Sequence, residues 1–408
     1  MKSIAAVKQS LSSAPACSNI RSRAYRYRRI VSFALAGSLF SPCLASARAS
    51  DALDNRTPST GLLSVRAIAF NPANGKLYAV DTRQGTVSVI SGPTHTISTV
   101  KVGAGPVAVA VNPATNKVYV ANHGSGTLSV LAGDTNAVVA SIPVGKTPYV
   151  VAVNPSTNKI YVSNTFNNQI TIIDGVTNAT KTVAAGSADQ ITVDPEGNKI
   201  YLLGYESSSL TVLDGIDDSI THMPVGEMHL WAIALSPPSS EVYVTRIGSG
   251  DVVALDEKST ASIPVSTGKI PCAIAINSKT NTLYVANYGD DSVTVIDGSK
   301  HIAVATVHVG AQPHAIAVDA KTNLIYVANT HGNSVTVIDG VSNVAVTSLE
   351  AGINPYAITV DSQNGMVYVA NMDQQSFTQI DVHQLSRRFA QKDQSATNRK
   401  AYTAHQMP

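Results

Sequence analysis

The chain has 408 residues, 44% of them apolar and 14% charged, with 29 Lys and Arg against 27 Asp and Glu. The formal net charge of +2 is too small to argue for a nucleic-acid partner. Its three cysteines, two of them within the first 43 residues, exclude a disulfide-built core and a Cys-based zinc site.

Residues 1–47 read as a signal peptide. Lys2, Lys8, Arg21, Arg23, Arg26, Arg28 and Arg29 precede an apolar run, Ile30 to Phe40, without one acidic residue. Ala45-Ser46-Ala47 then offers a small-x-small cleavage pattern. The run is short of the ~20 residues a membrane span needs. Arg28-Arg29 leaves the choice between Sec and twin-arginine export open. Without this leader the chain keeps 22 basic and 27 acidic residues, a net charge of −5. The expected location is periplasmic or secreted, with no membrane span after signal removal, and Cys272 is the single remaining thiol. Residues 48–60 form an N-terminal linker, and Arg56 to Leu63 is a candidate strand for closing a ring.

From residue 61 to 385 one unit recurs. Its clearest mark is a tyrosine at 78, 119, 161, 201, 243, 284, 326 and 368, spaced 40 to 42 residues apart. A period of ~40–45 residues built of short strands marks a propeller blade. Residues 106–144 show the unit well. Pro106 to Val111 is a β-branched strand. Asn112-Pro113-Ala-Thr-Asn116 is a turn in which Asn takes left-handed angles. Lys117 to Asn122 and Thr127 to Leu131 are the second and third strands, and Ala137 to Val144 the fourth. The third turn usually reads Asp-Gly (Asp174-Gly175, Asp214-Gly215, Asp297-Gly298, Asp339-Gly340), and its glycines are expected at positive φ. The repeated tyrosines are expected in the core, each burying ~150–250 Å². Small residues such as Ala108/Ala110, Ala273/Ala275 and Ala315/Ala317 let neighbouring sheets approach near the axis.

Eight first, second and third strands are legible, but seven fourth strands. The predicted fold is all-β, a β-propeller of four-stranded antiparallel blades. Eight blades are expected, and seven with a displaced terminal unit is the alternative. Residues 386–408 read as a polar disordered tail.

Residues 61–381 resemble the YVTN family of β-propeller repeat proteins, exported and YncE-like. The resemblance is carried by Ala-Val-Asn-Pro-x-Thr-Asn-Lys-x-Tyr-Val (152–162), Tyr-Val-Ala-Asn (284–287, 326–329, 368–371) and Val-Thr-Val-Ile-Asp-Gly (293–298, 335–340). It implies the propeller fold and a surface or exported setting, without an assigned chemistry. Lactonase and antibiotic-lyase propellers share the shape. Quinone-cofactor propellers rely on repeated Trp, whereas this chain has one, and no C-x-x-C-H occurs for covalent haem attachment.

Function is sought where the copies differ. The first residue after the start of the innermost strand is Arg66, Val107, Tyr149, Asp189, Trp231, Cys272, His314 or Tyr356, while its neighbours stay small or β-branched. Propeller geometry sets this ring at one mouth of the central channel, with the loops between second and third strands on the same face. The candidate ligand-binding residues are Arg66, Tyr149, Asp189, Trp231, His314 and Tyr356. The secondary rim is His123, Phe166, Glu206, Arg246, Tyr288 and His331, with Arg83, Tyr205, Asp290, Asp291, Met372 and Asp373 in the same loops. His123, His229, His314 and His331 lack metal-ligand spacing, so no metal, cofactor or catalytic residue is expected.

The expectation is a non-catalytic binding or scaffolding module, a monomer whose partner is an unknown protein or small molecule on the channel face. One alternative is a lactonase-like hydrolase or lyase at the channel mouth, with His314 as base and Asp189 or Glu206 as its carboxylate. The other is a weak single-stranded nucleic-acid binder, using Arg66, Arg246, Tyr149 and Trp231.

Overall fold

A computed structural model describes residues 65–91, 96–237, 239–256, 262–373 and 376–385, with only the backbone of Val65 and Arg66. The leader, the 48–60 linker with its Arg56–Leu63 closing strand, and the 386–408 tail lie outside the described residues. Thirty-one strands are described, arranged as eight consecutive antiparallel meanders. The fold is an eight-bladed β-propeller. Blades 1 to 7 span 65–101, 106–143, 148–183, 190–224, 230–266, 271–308 and 313–350, each with four strands in sequence order. Blade 8, 355–381, has three described strands. It packs on blade 1 through a shared core of Leu77, Ala79, Ile90, Tyr368, Ala370 and Phe377.

Burial changes in order across each blade. Inner strands such as Pro313–Asp319 are half-buried along the channel, second and third strands are almost wholly buried, and outer strands are largely exposed. All eight repeat tyrosines are fully buried, none more than 1% exposed. Each is the cross-strand partner of a third-strand residue: Val89, Val130, Ile172, Val212, Ala254, Val295, Val337 and Gln379 in turn. The exception, Gln379, is 3% exposed, and neither amide atom has a hydrogen-bond partner. The polar intruder therefore lies in the blade whose fourth strand is not among the described ones.

One face of the ring is stitched from blade to blade. In four blades the Asn that opens the first turn donates to the Asn that closes the same turn one blade on. Asn71 reaches Asn116 Oδ1 at 2.7 Å, Asn112 reaches Asn158 at 2.8 Å, Asn154 reaches Asn198 at 2.8 Å and Asn277 reaches Asn323 at 2.6 Å. Ser236 donates to Asn281 in the same way at 2.7 Å. Lys76, Lys117 and Lys159 add donors to the backbone carbonyls of Gly133, Gly175 and Gly215 in the following blade. The receiving asparagines all have φ near +50°, the conformation Asn accepts better than most residues.

This stitching corrects the reading of the Asp-Gly turns. Gly175, Gly215, Gly298 and Gly340 do not have positive φ. The left-handed residue is the one three positions later, Asn178, Asp218, His301 or Asn343. The glycine is required by close approach instead. A Cβ on Gly175 would lie 2.5 Å from the Asn158 carbonyl oxygen, and one on Gly215 2.7 Å from that of Asn198.

Candidate functional site

The variable residue of the inner strand sits in a β-bulge. In blade 7, Pro313 pairs with Asn329 and Ala315 with Ala328, so His314 has no partner in the ladder. The register skips Val107, Tyr149, Cys272 and Tyr356 in the same way, and skips pairs containing Arg66 and Trp231. Blade 4 differs, because its ladder begins at Gln190. There Asp189 donates its N–H to Leu203 O at 2.7 Å and accepts Tyr205 N–H on Oδ2 at 2.8 Å.

A bulged residue is released from the alternation of the pleat, and its side chain is re-aimed. The residue two positions before it is left-handed in six blades: Gly105, Thr147, His229, Ile270, Gln312 and Asn354, with φ from 53° to 70°. This is the physical reason the position varies. The ladder makes no demand on a residue that it does not pair.

Successive bulged residues lean on one another around the mouth. Cys272 Sγ lies 3.2 Å from Pro313 O and 3.8 Å from His314 O in the next blade. The His314 ring stacks on Tyr356 with centroids 4.3 Å apart and 27° between planes. Its Nδ1 is 3.3 Å from Tyr356 O. A carbonyl only accepts, so Nδ1 carries the proton and Nε2 is left as an acceptor. Nε2 is buried and has no partner. Burial pushes the His314 pKa down to about 4 and the Cys272 thiol up to about 12. The imidazole is therefore neutral and the thiol protonated at neutral pH. Tyr149, Asp189, Trp231 and Val107 are half-buried on the same ring.

The rim residues fall into different states. Phe166 stands on a 3₁₀ turn, Thr165–Asn167, and is 76% exposed. His331 and Glu206 are exposed, and His123 is half-buried. Tyr288 donates to Gln312 Oε1 at 2.5 Å. Arg246 occupies the place of the final Asn of the Tyr-Val-Ala-Asn word and is committed to neighbouring groups. It pairs with Asp251 through both Nε and Nη2, at 2.7 and 2.5 Å, and donates to Val225 O at 3.0 Å. Asp251 opens the next strand directly opposite Arg246.

No group of three or more His, Cys, Asp or Glu among the described residues, His314 and His331 included, is placed to hold a metal ion. The structure also groups residues that spacing alone did not. Tyr205, His229 and Trp231 meet at the corner between blades 4 and 5, with Tyr205 centroids 5.2 Å from His229 and 5.6 Å from Trp231. Glu227 and Met228 flank them in the loop that is Gly-Ala in blade 2 and Gly-Lys in blade 3; aligning these loops by the tyrosine period would have shown the difference.

A family model described as "YNCE-like beta-propeller" matches residues 93–396. The chain belongs to the YNCE-like β-propeller family. Among solved structures, the ring is similar to "Dihydro-heme d1 dehydrogenase NirN in complex with DHE", with a TM-score of 0.66 and 14% identity, covering 78% of this chain and 72% of that one. It is also similar to Kuenenia stuttgartiensis hydrazine synthase, with a TM-score of 0.53 and 18% identity over 81% and 98% of the two chains. At such identities the likeness is one of fold. No curated protein sequence matches the chain. No helix among the described residues is long and apolar enough to cross a membrane.

Proposed function

We propose that this YNCE-like propeller is an exported, non-catalytic binding or scaffolding module that holds its ligand on the channel-mouth face. The observation that carries the reading is the ring of bulges. Residues that differ from blade to blade occupy the one inner-strand position exempt from pairing, on a ring otherwise built of repeated contacts. A rigid frame with a freely variable mouth suits recognition.

The hydrolase or lyase reading draws no support from the mouth. His314 hydrogen-bonds Tyr356 O and no carboxylate. Asp189 is engaged with the Tyr205 N–H, and Cys272 is held protonated. A base needs an orienting partner within ~3.2 Å, and His314 has only a backbone carbonyl there. The nucleic-acid reading is weakened by Arg246, whose guanidinium is occupied by Asp251.

The test is the double variant Tyr149→Ala/Trp231→Ala. Both residues are bulged and half-buried, so its unfolding midpoint should stay close to that of the parent. Partners captured from a periplasmic extract by the parent chain should be lost. An identical captured set from parent and variant would overturn the channel-face assignment.

A further inference from the structure

The corner between blades 4 and 5 combines a built aromatic wall with unpaired negative charge. Trp231 is the bulged residue of its inner strand, and Tyr205 stands on the loop between the second and third strands of the preceding blade. Their rings meet edge to face at 84° with centroids 5.6 Å apart. His229 adds a third ring, at 58° to Tyr205.

The backbone holds these rings in place. His229 N–H donates to Tyr205 O at 2.9 Å, and Ile247 N–H donates to His229 O at 3.2 Å, which ties three loops into one piece. The Asp189 carboxylate fixes the Tyr205 backbone N–H at 2.8 Å. All three residues are half-buried, so none is wholly closed off from solvent.

The charges of this corner are one-sided. Glu206, Glu227 and Asp251 contribute three carboxylates, and Arg246, which also feels Glu227, contributes the facing cation among the described side chains. Arg246 and Asp251 neutralise one another in a bidentate pair. Glu206 and Glu227 are exposed and make no ion pair among the described residues. Aromatic faces carry negative potential and attract cations, most strongly from Trp. An apolar cation gains from rings and carboxylates together, whereas an anion is repelled and a neutral ligand gains from the rings alone.

We propose that the Trp231–Tyr205–His229 corner binds an organic cation, a quaternary ammonium group seated against the solvent-accessible side of this aromatic cluster under the field of Glu206 and Glu227. This rests on the channel mouth being the binding face, and it names the ligand chemistry of that face.

Trp231 is the only tryptophan in the chain, so its emission reports this corner directly. The full chain is titrated with choline, tetramethylammonium, the neutral isostere 3,3-dimethyl-1-butanol, and glucose, at constant ionic strength. Choline and tetramethylammonium should change the emission saturably, with the isostere and glucose at least about 10-fold weaker, the discrimination expected of a desolvated cation–π site. Tyr205→Ala should abolish the response and Tyr205→Phe should keep it, because the ring face and not the hydroxyl is used. Glu206→Gln/Glu227→Gln should weaken choline by about 3- to 10-fold and leave the isostere unchanged. Co-sedimentation with phosphatidylcholine vesicles would assign the ammonium to a lipid headgroup, and choline binding without it would assign a free solute.

Equal affinity for choline and its neutral isostere, or no saturable response to either cation, would overturn the proposal. Loss of a captured partner in Tyr149→Ala/Trp231→Ala alongside such a failure would leave the channel-face reading standing and remove only the cation assignment.

Discussion

The two faces of the ring obey different rules. On one, four of the first turns are linked to the next blade by the same Asn–Asn bond, and a fifth by Ser236–Asn281. On the other, all inner strands but that of blade 4 bulge, and the skipped residue can be Arg, Val, Tyr, Trp, Cys or His without disturbing the ladder. The difference teaches where the fold's information lies. Stability is written as repetition on the stitched face, and individuality is confined to the mouth, where the backbone has been released from pairing.

The stitched face should break hardest. Asn277 is fully buried, donates to Asn323 Oδ1 at 2.6 Å and accepts Lys279 N–H at 3.0 Å. Asn277→Ala leaves both partners unsatisfied, at a cost of about 3 kcal/mol. Chemical denaturation should show the loss as a lower midpoint with unchanged slope. A loss below about 0.5 kcal/mol would mean that the links are incidental to the ring.

The mouth should respond to acid instead. Burial lowers the His314 pKa from its ordinary value near 6.5 to about 4. The unfolded chain therefore binds the proton first, and stability falls as pH drops from 6.5 toward 4. The contribution is complete above pH 6.5 and comes to about 2 kcal/mol once reduced for the half-exposed ring. Unfolding midpoints measured between pH 7.5 and 4 should show this slope, and His314→Gln should flatten it. An equal slope in His314→Gln would place the titration elsewhere.

The stitched face was largely legible in the sequence and the mouth only by position. A period of about 42 residues aligns eight tyrosines, and only a core repeated eight times requires the same large side chain at each step. The left-handed Asn116 and Asn158 followed from the turn chemistry of Asn-Pro-x-Thr-Asn. The Asp-Gly glycines were misread because steric approach and positive φ call for the same residue. Only the 2.5 Å distance to the Asn158 carbonyl tells them apart. The mouth ring was found as a column of unlike residues. Its partners were not, since His314 on Tyr356 and Trp231 against Tyr205 each join residues of neighbouring blades. Such pairs carry no signal in local spacing. Arg246 shows the opposite case: its charge read as available, yet its partner Asp251 lay five residues on, across a hairpin.

The smallest expected effect tests the faces against each other through the backbone. On the stitched face the left-handed first-turn residues are Asn116, Asn158, Asn198, Asn281 and Asn323, with Gly75, Gly365 and Ser240 completing the set. At the mouth the equivalent set contains Thr147, Ile270, Gln312 and His229. A β-branched residue at φ of 55° carries strain of order 1 kcal/mol, which persists only where the surroundings impose it. Thr147→Asn should recover about 0.5–1 kcal/mol, because Asn tolerates this conformation and Thr147 is only half-buried. Thr147→Val keeps the branched Cβ and should recover nothing. The corresponding exchange on the other face, Asn158→Thr, should lose more than Thr147→Asn gains, since it also removes the acceptor of Asn112. Denaturation midpoints of the three variants decide the matter. If Thr147→Asn proves destabilising while Asn158→Thr is neutral, strain is not concentrated at the mouth, and the division between a stitched and a released face fails at the level of the backbone.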